Sequence, residues 1–463
     1  MMATVTATAE VSDPPSASTA ALTGWVLFDW AAQPFYTLIL TFLFAPYFAN
    51  AVVGDPAWGQ AIWGYAAAVA GILVAIGSPL LGALADGRGR RKPWIALFSL
   101  VLAAGMATLW FAAPGTAGLA LWVILLAFVV ATVAAEFTTV FTNSIMPTLV
   151  PPDRMGRLSG IGWGVGYAGG LVSLIIMAGL IVTVPSTGKT LLGLEPLLHL
   201  DTAAREGDRL VGPFSAAWFL IFMIPFFLFV PDKRRVMPAN HHETSAAAEL
   251  WSTLRDLPNH RDMLIFLIAR AIYVDGLSAI FVFGGIYGAS VFGWQAFELG
   301  LFGIILTLTG AIGAVIGGFL DDRWGAKRVI VASLVILLAG SLGILSVSTA
   351  HVLFSIGVVA KVPGSAPFSS TGELVYLVFA ILIGVVAAPV QAASRSLLAR
   401  LAPPDKMTQY FGLFAFSGKV TAFAAPFLIA TVTTATGSQR AGMAVIAAFL
   451  LTGMVLMFTV RAR

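Results

Sequence analysis

The sequence predicts an all-α membrane protein of twelve transmembrane helices in two six-helix halves, on three observations. Of 463 residues, 59% are hydrophobic and 10% charged, against roughly a quarter charged in soluble domains. Twelve apolar stretches are each long enough to cross a hydrocarbon core of about 30 Å. A charged turn also recurs at an offset of 236 residues: Gly82, Leu84, Asp86 and Gly89, then Arg90 and Arg91, match Gly318, Leu320, Asp322 and Gly325, with Arg323 and Lys327.

In chain order, the first six spans cover 24–48, 60–85, 94–113, 118–146, 158–184 and 214–230, and the last six 263–290, 297–320, 329–345, 374–398, 411–434 and 441–460. Residues 1–22, rich in Ala, Thr, Ser and Pro without a basic start or an apolar run, read as a disordered tail rather than a signal peptide. The halves are then 23–231 and 262–463, joined by a polar, basic linker at 232–261. A second echo supports the duplication: Pro151, Pro152, Asp153, Arg154, Met155 and Gly160 return as Pro403, Pro404, Asp405, Lys406, Met407 and Gly412, now 252 residues on. The larger offset assigns extra residues to the polar loop 351–372. Duplicated six-helix halves point to a transporter with its path between them.

Basic residues set the orientation, because Lys and Arg in short loops stay on the cytoplasmic side. With the amino terminus in the cytoplasm, that side holds 18 of 26 basic residues; Lys189, Arg205, Arg209, Lys361 and Arg440 fall outside, and Arg270, Arg395 and Lys419 lie within spans. Both termini are expected in the cytoplasm, in a cell inner or plasma membrane. The net charge of +4 follows from this bias, and no basic block suggests nucleic acid. The absence of cysteine excludes disulfides and thiolate chemistry.

Charges inside the membrane are functional candidates, since each costs about 2.5–3.5 kcal/mol to insert. Glu136 sits eleven residues before Pro147, roughly 16 Å from the end of its helix and near the midplane. Thr132, Glu136, Thr139 and Asn143 form one polar stripe on that helix. Asp275 and Lys419 lie about 20 Å deep and Arg395 about 12 Å deep, on one face with Gln391. Asp29, between Trp25 and Trp30, is nearer the boundary and reads as a gating or interface residue. Arg270 is expected to snorkel toward the cytoplasm.

A buried carboxylate binds and releases protons as water access changes, so Glu136 and Asp275 are candidates for proton coupling or for holding a substrate cation. Lys419 and Arg395 are candidates for a substrate carboxylate, or for pairing with those acids when no substrate is present. Fixed ion pairs that only tie helices together remain the competing reading.

The paired turns resemble the signature of the major facilitator superfamily. Further motifs resemble its vacuolar amino-acid effluxer-like branch and bacterial relatives: Asp29, Trp30, Ala31; Pro46, Tyr47, Phe48; Asn143, Ser144, Pro147; Gly160, Trp163, Gly166, Tyr167, Gly169, Gly170; Arg270, Asp275, Gly276; Gln391, Ser394, Arg395, Ser396; and Phe411, Gly412, Gly418, Lys419, Pro426. Gln409 stands where that branch commonly has an acid. The resemblance implies the major facilitator fold, with the first, fourth, seventh and tenth helices lining a cavity. It implies that Gly82, Asp86, Gly89 and Arg90, with Gly318, Asp322, Arg323 and Gly325, act as a conformational latch, each acid near a helix terminus that favours an anion. It also implies alternating access, substrates among amino acids or similar small polar solutes, and protons as the coupling ion.

A sugar or organic-ion cation symporter, a drug or lipid exporter, and a transporter-like sensor without flux stay open as alternatives. Gly164, Gly166 and Gly169 spell a nucleotide-binding pattern, yet no strand precedes them; they read as small residues that admit a neighbouring helix. His241, His242 and Glu243 read as a solvated linker cluster rather than a metal site. No cofactor, enzyme activity or obligatory oligomer is expected.

Overall fold

The computed structural model describes residues 17–115, 117–184, 187–232, 245–294, 296–362 and 365–461. The expected tail lies mostly outside these, as does the His241–His242–Glu243 cluster. Ser18 caps the first helix by accepting the Ala21 N–H, so that helix starts ahead of the boundary expected at residue 22.

The N-terminal half comprises α1 (Thr19–Val52), α2 (Pro56–Gly87), α3 (Lys92–Phe111), α4 (Leu121–Thr148), α5 (Pro152–Ile181) and α6 (Glu206–Phe229). Beyond Pro34, α1 widens into π-type turns at Phe35–Phe42 and Phe48–Val52, as expected where proline removes a ladder donor. Asp55 and Pro56 start α2, the Asp55 carboxylate accepting from Ala57 and Trp58. The expected linker holds an amphipathic helix, Ala246–Asp256, which packs on α2.

The second half comprises α7 (Arg261–Phe292), α8 (Glu298–Trp324), α9 (Ala326–Leu345), α10 (Thr371–Leu401) and α12 (Gln439–Thr459). A short hairpin, His351–Val352 with Ile356–Gly357, occupies the loop that was assigned the extra residues. Among the described residues, eleven helices are continuous and long enough to cross a membrane. The eleventh span, expected unbroken over 411–434, is instead two pieces, α11a (Met407–Ser417) and α11b (Ala424–Thr436). Pro426 cannot donate to Ala422, and its ring opposes that carbonyl; Gly418, Val420 and Thr421 are weak helix formers. Hydropathy misses the break because the intervening residues are largely apolar.

The halves meet closely at the end that carries the two charged turns. There α5 packs on α8 and α2 on α11a. A Cβ on Gly160 would overlap the Ala314 carbonyl, and one on Gly412 would overlap the Ser78 carbonyl. The opposite face of α5 meets α1 through Gly162, Gly166, Gly169 and Gly170, so the glycine pattern serves helix packing. α11b, by contrast, packs on α12 and α7 within its own half.

Candidate functional site

A cavity of about 430 Å³ lies between the halves. Asp29, Gln33 and Tyr36 reach it from α1, Glu136, Thr139 and Asn143 from α4, Trp163 from α5 and Arg270 from α7. Gln391 and Arg395 come from α10, and Phe411, Phe414 and Lys419 from the region of the α11 break. Three of the four residues of the predicted α4 stripe thus face the cavity, Thr139 bonding back to the Ala135 carbonyl; the fourth, Thr132, bonds back to the Phe128 carbonyl and does not line it. Of the sequence candidates for the path, Asp275 alone does not line this cavity.

Arg395 is almost fully withdrawn from solvent and is held from several sides. Its Nε donates to Ser159 Oγ at 2.8 Å and Nη2 to the Ser159 carbonyl at 2.7 Å. Nη1 donates to Asn143 Oδ1 at 3.1 Å and Asp29 Oδ2 at 3.2 Å, and the guanidinium lies over Trp25, 4.9 Å from the ring centroid. A fixed fork of donors suits several acceptors at once. Arg395 on α10 therefore ties the second half to α1, α4 and α5. Arg395 and Asn143 are themselves 252 residues apart, the offset of the duplicated motif, so corresponding positions of the two halves meet here.

The second charge pair is looser. Lys419 Nζ lies 2.9 Å from Glu136 Oε1, with side chains 35% and 18% exposed. Lys419 sits in the break of α11, where three-residue turns replace the helical ladder: Ala422 N–H donates to Lys419 O and Ala424 N–H to Thr421 O. Non-helical backbone at this depth is tolerated where it borders protein or a wet cavity.

Two residues of α7 hold the flanks of that break. Arg270 Nη1 donates to the Phe414 carbonyl at 2.6 Å and to Ser417 Oγ at 2.8 Å, and its guanidinium stacks on Phe414. Asp275 Oδ2 accepts from Ala425 N–H, at the start of α11b, at 3.1 Å. A cation thus sits at one helix C-terminus and an anion at the next N-terminus, each favoured by the local dipole. Arg270 does not snorkel as the sequence suggested, because these acceptors lie across from it within the protein. Asp275 is buried, and its Oδ1 has no partner among the described residues.

At the motif end, Asp86 Oδ2 accepts from Gln409 N–H at 2.9 Å, in the first turn of α11a, while Oδ1 pairs with Arg91 at 3.2 Å. Arg91 Nε also donates to Thr408 across the halves. Asp322 faces Gly156 in the first turn of α5 and lies 3.6 Å from Arg157 and 3.7 Å from Arg400. Both acids thus meet helix N-termini of the other half, the arrangement expected from the resemblance. The basic partners differ from the expected ones, however. Arg90 and Arg323 are exposed, and Arg91, Arg157 and Arg400 occupy the contacts because they face the seam. Gly89 and Gly325 have φ of 71° and 88° at the turns, which favour glycine. Gly82 and Gly318 admit Thr408 and Gly156 against the backbone.

Sequence reasoning did not single out Ser159, Asp321, Arg400 or Thr408. Asp321 is buried, accepts from Ser396 and pairs with Arg400 at 2.5 Å. Its adjacency to Asp322 was the available signal; a lone Ser159 in a glycine-rich helix offered none. Gln409 Oε1 accepts from Thr253 of the linker helix at 3.2 Å, so its side chain joins the linker helix to the α11a N-terminus that Asp86 meets.

Residues 52–463 match the family model described as "Vacuole effluxer Atg22 like". An uncharacterized MFS-type transporter, YxiO of Bacillus subtilis, is 25% identical over 90% of this chain and 89% of its own. Autophagy-related protein 22 of Cryptococcus neoformans is 25% identical over 62% of this chain, which covers about half (49%) of that protein. Among solved structures, the E. coli fucose:proton symporter FucP has a TM-score of 0.69 at 15% identity, covering 96% of this chain and 98% of that one. A bacterial homologue of the iron transporter ferroportin, in an outward-facing state, has a TM-score of 0.67 at 15% identity, covering 96% and 99%. The fold is that of the major facilitator superfamily.

Proposed function

Because the chain belongs to the Atg22-like vacuole effluxer family and is a multi-pass major facilitator transporter, not an enzyme, we propose that it moves amino acids or similar small polar solutes in exchange for or together with protons. The observation that carries this reading is the Lys419–Glu136 pair, opposite charges 2.9 Å apart at the wall of a cavity of about 430 Å³. A zwitterion replaces such a pair with two new ones: its carboxylate meets Lys419 and its ammonium meets Glu136. Glu136, released from Lys419, is also the group that takes up or gives back a proton as water access changes. Gln33, Gln391 and Trp163 complete the wall with amide and indole groups. Arg395 and Asp29 serve as an inner gate rather than as substrate ligands, since breaking them sacrifices five interactions at once.

The motif end is the cytoplasmic end in this reading, with both termini there, in the cell or vacuolar boundary membrane. Asp86 and Asp322 latch it shut by sitting at the α11a and α5 N-termini. A monomer suffices, because the cavity is complete within one chain.

Purified protein in liposomes with an imposed pH gradient, screened over amino acids, sugars and cationic dyes, tests the reading. Gradient-driven accumulation of an amino acid that Glu136→Gln abolishes, with counterflow retained, is the expected result. Accumulation of sugars alone, or full gradient dependence in Glu136→Gln, overturns it. A polyol is the second reading, favoured by the Gln33, Gln391 and Trp163 wall.

A further inference from the structure

We propose that Arg270 and Asp275 are positioning residues for Lys419. The inference rests on the reading that Lys419 meets the substrate. Lys419 is carried by a segment, 418–423, that lacks continuous helical bonding, so the segment's path is set by what holds its two ends. Both ends are held by α7. On one side Arg270 takes up the Phe414 carbonyl and Ser417 Oγ, and a Cβ on Gly418 would lie 3.0 Å from Arg270 Nη1. On the other, Asp275 accepts the Ala425 N–H that the broken ladder leaves without an intrahelical partner, and Thr421 Oγ1 donates to the Ala271 carbonyl at 3.1 Å.

The consequence is a division of labour within one helix. α11a belongs to the seam between the halves, packed on α2 and α4, whereas α11b packs on α12 and α7. A rigid helix would tie Lys419 to the seam. The break, fixed by Arg270 and Asp275, lets Lys419 face Glu136 from backbone that follows α7 instead. Oδ1 of Asp275, which has no partner among the described residues, is where a proton would reside if Asp275 were a coupling group. Asparagine separates the two roles, because its amide oxygen still accepts from Ala425 but carries no titratable proton.

The chain has no native cysteine, so Lys419→Cys is a unique reporter, read by its rate of labelling with a charged thiol reagent in the full-length protein. In that background Asp275→Leu and Arg270→Met are expected to change the rate by about tenfold, and Asp275→Asn to leave it within about twofold of the reference. With Lys419 restored, Asp275→Leu raises KM about tenfold with a smaller change in kcat, and Asp275→Asn keeps both the KM and the pH profile of transport. Unchanged labelling in both Asp275→Leu and Arg270→Met overturns the proposal. So does an Asp275→Asn variant that loses pH dependence, since that assigns Asp275 a proton. A shifted labelling rate alongside transport that is indifferent to Lys419 upholds the positioning and removes the substrate reading beneath it. Retained monodispersity and thermal transition separate these outcomes from misfolding.

Discussion

Two ion pairs share one cavity and are built differently. Arg395 is 4% exposed and bonded to Asp29, Asn143 and both oxygens of Ser159, whereas Lys419 is 35% exposed and paired with Glu136 from an unwound segment. Removing one partner of a buried, hydrogen-bonded pair costs about 3–5 kcal/mol, because the other charge is stranded. A solvent-reached pair is worth about 0–1 kcal/mol. The first arrangement holds the halves together through several bonds at once; the second is a single contact, which is why the proposed function assigns the substrate's charges to it. Position in the cavity is therefore a poorer guide to role than the number of bonds a charge must surrender.

The largest effect is expected at the multiply bonded Arg395–Asp29 pair. Arg395→Met should lower stability by about 3–5 kcal/mol, read by thermal unfolding in detergent, and abolish uptake; adding Asp29→Asn should return part of the stability. A double mutant cycle at Lys419 and Glu136 should give a coupling energy below about 1 kcal/mol. Equal coupling at the two sites would erase the distinction between them.

Next in size is the seam between α5 and α8. Gly160→Ala places a methyl against the Ala314 carbonyl and the Gly318 backbone, and overpacking of this kind costs about 1–3 kcal/mol. The expected readout is faster labelling of a single cysteine at the motif end and slower transport. Gly64→Ala, where no atom lies within 4 Å, serves as the neutral control. The smallest effect is expected at the latch. Asp86→Asn keeps an acceptor for Gln409 N–H and leaves Arg91 bonded to Thr408, but loses the buried charge at the α11a N-terminus and toward Arg91, worth up to about 2 kcal/mol in a partly buried geometry. That shift should appear as a modest increase in labelling at the motif end, without a change in KM.

The intramembrane charges were legible because a lone charge in an apolar run is conspicuous whatever its surroundings. Glu136 and Arg395 line the cavity from α4 and α10, and Lys419 lines it from the break in α11. Asp275 was equally conspicuous, yet it faces α11b. The difference lies in helix rotation: successive residues turn by about 100°, so depth along a span leaves the direction of a side chain open. Asp86 and Asp322 were found by repetition, and their basic partners were missed for the same rotational reason, Arg91 facing the seam where Arg90 faces outward.

Hydropathy, charge asymmetry and the repeated turns by themselves determined the all-helical membrane fold, its duplication and the set of costly intramembrane charges, because each is a property of local chain composition. Which charges pair was decided only by tertiary structure, since Asp29 and Arg395 are 366 residues apart and meet through packing alone. The break in α11 belongs there too. An interrupted helix within an apolar run stands only where other groups hold its ends, and here Asp275 takes the Ala425 N–H while Arg270 braces the Phe414 carbonyl and Ser417.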